Sequence, residues 1–106
     1  MSEFDLGALM QQAQQVKEQM EYLQKGLSEQ KVEGTSGAGM VKVIATGDQK
    51  VVSVTIDPSV LSEEPELVQD LVVAAVNNAL EKAREIAKER MSSMLPPGFD
   101  GGIPGL

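Results

Sequence analysis

The side chains best suited to chemistry in this chain are cations. Lys82, Arg84, Lys88 and Arg90 place four of its nine Lys and Arg residues within nine consecutive positions, a density suited to contact with phosphate oxygens. Glu81, Glu85 and Glu89 interleave with them. The pairs Glu81 with Arg84 and Glu85 with Lys88 stand three residues apart, so the same stretch also reads as a solvated salt-bridge face. Lys17, Lys25 and Lys31 add positive charge upstream. Over the whole chain nine cations meet sixteen Asp and Glu for a formal charge of −7, which repels polyanions at long range but leaves contact to the local potential.

Other chemistries are thinly provided for. Histidine and cysteine are both absent, which excludes disulfides and thiolate chemistry and removes the commonest general base and the two commonest zinc ligands. No catalysis, metal, other cofactor or small-molecule substrate is expected. Glu63, Glu64 and Glu66 cluster, but acids at a helix start are favoured by the helix dipole alone. Asp57 before Pro58 reads as a turn residue. Gly34, Gly37 and Gly39 fall in the order G-x-x-G-x-G with no Gly-Lys-Ser/Thr after them, which reads as a strand connection and not a phosphate cradle. With one Tyr and no Trp, base-stacking platforms are not expected. Met10, Met20, Met91 and Met94 read as packing filler.

The elements that must carry these residues are legible from periodicity. Leu6, Leu9, Ala13, Val16, Met20, Leu23 and Leu27 recur at alternating spacings of three and four, predicting a helix across Phe4–Gln30 with a heptad stripe. Ser2 with Asp5 three positions later fits its N-terminal cap. Glycines then break the helix, and β-branched residues predict strands over Met40–Thr46 and Val51–Asp57, joined by the polar Gly47–Lys50 as an antiparallel hairpin. Val41, Val43 and Ala45 should form one apolar face, and Val52, Val54 and Ile56 another. A third strand around Gln30–Glu33 would pair with the first of these across the glycine turn. Ser62 reads as the cap of a second long helix with Glu63, Glu64 and Glu66 in its first turn and Pro65 tolerated there. Its apolar arc is broad over Leu67–Val76 and narrows to Ala79, Leu80, Ala83, Ile86, Ala87, Met91 and Met94.

A chain of 106 residues, 42% hydrophobic and 24% charged, fits one folded domain over 1–95. The segment 96–106, PPGFDGGIPGL, is too rich in Pro and Gly for helix and is expected to be a flexible tail. No apolar run approaches the roughly 18–20 residues of a membrane span, and a basic-then-apolar leader pattern is lacking, so a cytoplasmic protein without membrane contact is expected. At 1.5 Å per residue the helices would be about 40 and 45 Å long, against a radius of gyration near 13 Å for a compact domain of this size. Such helices must overhang a thin sheet, so a homodimer with projecting helical arms is expected.

Several stretches carry a resemblance to a known family. LGALMQQAQQVKEQM at Leu6–Met20, VEGTSGAGMVKV at Val32–Val43, VTIDPSVL at Val54–Leu61, DLVVAAVNNALEKARE at Asp70–Glu85 and LPPGF at Leu95–Phe99 resemble the YbaB/EbfC family of bacterial nucleoid-associated proteins over nearly the whole chain. The resemblance implies an α/β (α+β) fold: a long N-terminal helix, a small antiparallel sheet of two or three strands and a long C-terminal helix. It further implies a homodimer that binds double-stranded DNA with loose sequence preference in the nucleoid, organising it and regulating genes. Carried onto this chain by helix position, its DNA contacts fall on Lys17 and Lys25 of the first helix and on Lys82, Arg84, Lys88 and Arg90 of the last. The competing reading is a dimeric scaffold or adaptor that docks a protein partner through the helical arms, which the net charge favours.

Overall fold

The structure is a computed structural model and describes residues 5–94; the expected tail at 96–106 and the Ser2 cap lie outside them. Helix α1 (Leu6–Glu29) leads into a three-stranded antiparallel sheet of β1 (Lys31–Ser36), β2 (Val41–Thr46) and β3 (Val51–Ile56), in the order β1-β2-β3. A single-turn helix α2 (Pro58–Leu61) and the long helix α3 (Pro65–Met94) complete the chain.

Local chemistry sets the boundaries. The cap of α1 is Asp5, whose Oδ1 accepts from the N–H groups of Gly7 at 3.0 Å and Ala8 at 3.3 Å, so it does itself what had been expected of Ser2. Ser62 does not cap α3. It closes α2 instead, its hydroxyl donating to the Ser59 carbonyl at 2.8 Å. Proline lacks an N–H and disfavours helical backbone in the residue before it, so α3 starts at Pro65 and keeps only Glu66 as a first-turn acid. Glu63 and Glu64 fall outside the helix. Asp57 caps α2, its Oδ1 accepting from the Ser59 N–H at 2.9 Å and hydroxyl at 2.7 Å. These two bonds hold the Asp57 carboxyl below its usual range.

Register fixes the two faces of the sheet. Gly34 stands opposite Val43, and Val43 opposite Val54; Ser36 stands opposite Val41, and Val41 opposite Ile56, so these residues share one face. The third strand, expected over Gln30–Glu33, runs on to Ser36 because Thr35 and Ser36 find partners in Lys42 and Val41. β3 departs from strict alternation. Ser53 pairs with Ile44 and Val51 with Ala45, leaving Val52 as the extra residue of a bulge. Val51, not Val52, therefore stands opposite the core residue Ala45.

α3 lies over β1 and β2 and barely reaches β3. The core is Val41, Val43 and Ala45 of β2 against Ala75 and Ala79 of α3, with Val32, Ile56, Leu71, Val72, Val76 and Leu80 around it. Gly34 brings helix and strand together: a Cβ there would run into the Ala79 amide nitrogen and lie 2.7 Å from the Ala79 Cα. Side chains of α3 also close the outer edge of β1. Asn78 Oδ1 accepts from the Thr35 N–H at 3.1 Å, and Lys82 Nζ donates to the Glu33 carbonyl at 2.8 Å. Among the described residues β3 has no comparable cover, and Val51, Val52 and Val54 are exposed.

The helices overhang this small body. The radius of gyration is 20.0 Å and the extents are 75 × 25 × 19 Å, well beyond the roughly 13 Å radius of a compact chain of this length. Only Leu23 and Leu27 of α1 are buried, while Leu6, Leu9, Met10, Val16 and Met20 are exposed. The Gly47 N–H anchors the end of α1 by donating to the Leu27 carbonyl at 2.9 Å and the Gln30 carbonyl at 2.8 Å.

Candidate nucleic-acid interface

Lys25, Arg84, Lys88 and Arg90 stand where α1 meets the second half of α3. Leu27 shares a surface hollow with Ala87, and Tyr22 and Leu23 share another with Arg90, Ser93 and Met94. The two helices are therefore antiparallel where they touch, and the N-terminal part of α1 runs on past Met94. Along α3 the charges are sorted: between Lys50 and Lys82 the chain has no cation, while Glu66 and Asp70 lie in its first turns. From Glu66 to Lys82 is sixteen residues, or about 24 Å of helix. That exceeds the screening length of about 8–10 Å at ordinary salt, so these acids do little to the potential at the far end.

The structure does not gather all six candidate residues into one patch. Lys25 and Arg90 line one cleft of about 590 Å³, together with Tyr22, Gly26, Glu29 and Gln30. Arg84 and Lys88 line a second groove of about 420 Å³ with Gln49, Glu81, Glu85, Ala87 and Met91. Lys82 is turned to the edge of β1, where the Glu33 carbonyl takes its ammonium. Six residues separate Lys82 from Lys88, a rotation of about 240° around the helix, so the two lie on opposite flanks of α3. Lys17 is exposed on the overhanging part of α1.

The expected salt-bridge face does not form. Among the described residues the only ion pair is Lys50 with Asp48, at 4.0 Å, and neither Glu81–Arg84 nor Glu85–Lys88 closes. Glu81, Glu85 and Glu89 recur every four residues and stack into one ridge, while Arg84 and Arg90 sit off it. A cation without a carboxylate partner keeps its hydrogen-bond donors for a ligand, and Arg can engage a phosphate with two of them.

Two participants escaped the reading of the sequence. Tyr22 and Gly26 share the face of α1 that bears Lys25 and Glu29, a spacing visible in principle from i, i+3 and i, i+4 neighbours. What the spacing does not contain is Arg90. Its guanidinium fills the volume where a Gly26 side chain would stand, and that depends on how α1 crosses α3.

Comparison with known proteins agrees with this architecture. The model of the YbaB/EbfC DNA-binding family matches residues 1–99. Among solved structures, an uncharacterized protein, HP0035 from Helicobacter pylori, superposes with a TM-score of 0.76 at 27% sequence identity, over 88% of this chain and 99% of that one.

Proposed function

This chain belongs to the YbaB/EbfC DNA-binding family, and from that premise we propose that it is a nucleoid-associated homodimer whose helical arms hold duplex DNA through its phosphates. The observation that carries this reading is the set of cations Lys25, Arg84, Lys88 and Arg90, placed where the helices leave the sheet and, among the described residues, free of carboxylate partners within salt-bridge distance. Side chains suited to reading base edges are not grouped there, so binding depends on backbone charge and shape, and sequence preference is loose. Nucleoid organisation and effects on transcription follow from occupancy along the duplex. The family is a DNA-binding one, and no catalytic step enters this role.

The second copy docks at β3. Val51 and Val54 continue the core face beyond the cover of α3, both 44% exposed, and among the described residues the β3 edge lacks the side-chain cover that α3 gives β1. Two copies related by a two-fold axis would cover both strips at once, with the same patch used twice. The arms of such a dimer project from a common base and bring two sets of cations to one ligand.

The test is a salt titration. Duplex binding followed by fluorescence polarisation should weaken with salt at a log–log slope of about −0.9 per phosphate neutralised, and Arg84→Gln with Lys88→Gln should flatten that slope by up to about two units per chain. An unchanged slope sends the contact surface elsewhere. A second reading, an adaptor for a protein partner, draws on the exposed stripe of Leu6, Leu9, Val16 and Met20. It is favoured if duplex fails to bind at physiological salt while a protein partner co-purifies and a stripe variant such as Val16→Glu releases it.

A further inference from the structure

The cleft between α1 and α3 has a shape and a chemistry that phosphate contact alone does not use. It is an open hollow of about 590 Å³. That is more room than a lone phosphate fills, and a duplex meets only its rim, where its phosphates can reach Lys25 and Arg90. Tyr22 stands at the cleft with 76% of its surface exposed, so its ring packs little against its own chain. Lys25 and Arg90 supply two cations against the single carboxylate of Glu29. Arg90 is partly buried, seated against Gly26, and has no salt bridge among the described residues. A partly exposed guanidinium that keeps donors free can take an anionic guest by charge-assisted hydrogen bonds.

An exposed aromatic ring beside a guanidinium and an ammonium is the combination by which proteins hold single-stranded nucleic acid, with the base stacked on the ring and the backbone on the cations. In a duplex both faces of each base are already stacked, so only an unpaired nucleotide offers one. Resting on the DNA-binding reading above, we propose that this cleft takes one unstacked nucleotide of a DNA strand, its base on the Tyr22 ring and its phosphate between Lys25 and Arg90. The arms then have two modes: phosphate contact along the duplex, and capture of an unpaired nucleotide where the duplex is gapped, frayed or open. The low aromatic content argued against a stacking surface made of several rings, but one ring suffices for one base.

The chain carries its own reporter. Tyr22 is the only tyrosine and there is no tryptophan, so ultraviolet emission of the full-length protein comes chiefly from this ring. Titration with a short oligothymidylate should quench that emission saturably. Labelled oligothymidylate should bind Tyr22→Leu about tenfold or more weakly, bind Tyr22→Phe like the unsubstituted protein, and bind Arg90→Gln more weakly. Duplex affinity of Tyr22→Leu should fall much less than its oligothymidylate affinity, and its thermal unfolding should match the parent because the ring is exposed. Equal oligothymidylate binding by Tyr22→Leu and the parent, or no quenching, overturns the cleft assignment even if duplex binding persists. Quenching that Tyr22→Leu abolishes, in a protein with no affinity for duplex, keeps the cleft and overturns the duplex reading. Failure of both ligands to bind overturns both.

Discussion

The guanidinium of Arg90 occupies the space that a side chain on Gly26 would fill, so a glycine in the last turn of one helix seats a cation carried by another. Glycine is a poor helix residue, less favourable than alanine by about 1 kcal/mol in a helix interior. Stability and binding therefore favour different residues at this position.

Gly26→Ala should separate the two effects. The methyl group meets the far end of a flexible side chain, which can swing away, so the helix gain of up to about 1 kcal/mol should survive and thermal unfolding should move upward. Arg90 loses its seat. DNA affinity should fall and the salt slope should flatten by about one unit per chain, as for one lost phosphate contact. A differential scanning measurement beside a polarisation titration gives both results on one sample.

Gly34→Ala should behave in the opposite way. There the added methyl meets the backbone of Ala75 and Ala79, which cannot move without lifting α3 from the sheet. Overpacking of this kind costs about 1–3 kcal/mol, measured as a lower urea midpoint. DNA affinity per folded molecule should stay close to that of the parent, because no cation has moved.

Lys82 and Lys88 should not be interchangeable. The ammonium of Lys82 is bonded to the Glu33 carbonyl at the sheet edge, whereas Lys88 lines the open groove with Arg84. Lys82→Gln should therefore change the salt slope less than Lys88→Gln does. It should lower thermal stability slightly, since the β1 edge loses part of its cover.

Val54→Lys tests the β3 surface. A charge in the exposed apolar strip beside Val51 opposes association of two copies. Sedimentation velocity should show the parent as a dimer and the variant as a folded monomer. A variant that stays dimeric moves the interface away from β3.

Asp57 gives a pH signature whose sign is fixed by its bonds. The Ser59 hydroxyl and N–H favour the charged carboxylate and hold its pKa below the ordinary 3.8. Its contribution to stability is complete above the unfolded value near 3.8 and is lost as pH falls through the lower folded value. Asp57→Ala should therefore be less stable than the parent at neutral pH, with the gap closing in strong acid. Paired urea titrations across the acid range would show it.

Much of the fold was legible in the sequence because it rests on local rules. The heptad stripe placed α1, the β-branched runs and polar turn placed the hairpin, and the glycines marked the connection where Gly37 and Gly39 take positive φ. One miss is local and the others depend on contacts between elements. Ser62 has the chemistry of a cap, but Pro65 moved the start of α3 beyond its reach. Val52 has the right residue type for the apolar face, but the bulge removed it from the alternation. The six candidate cations were visible as residues; their division among a cleft, a groove and a strand edge was not, because helix phase and crossing decide it. Arg90 reaches Gly26 across sixty-four positions of sequence, and no periodicity records that distance.

The narrow attachment of α1 has a mechanical meaning. Its buried contacts are confined to Leu23 and Leu27, with Gly47 tied to its final carbonyls. From Leu23 back to Leu6 the helix is a rod of about 25 Å. Pivoting by about 10° around that fulcrum sweeps the tip through about 4 Å by simple lever geometry, without opening a packed surface. In the proposed dimer, a pivot of this kind changes the gape of the arms, so that targets of somewhat different girth could be gripped with the body left rigid.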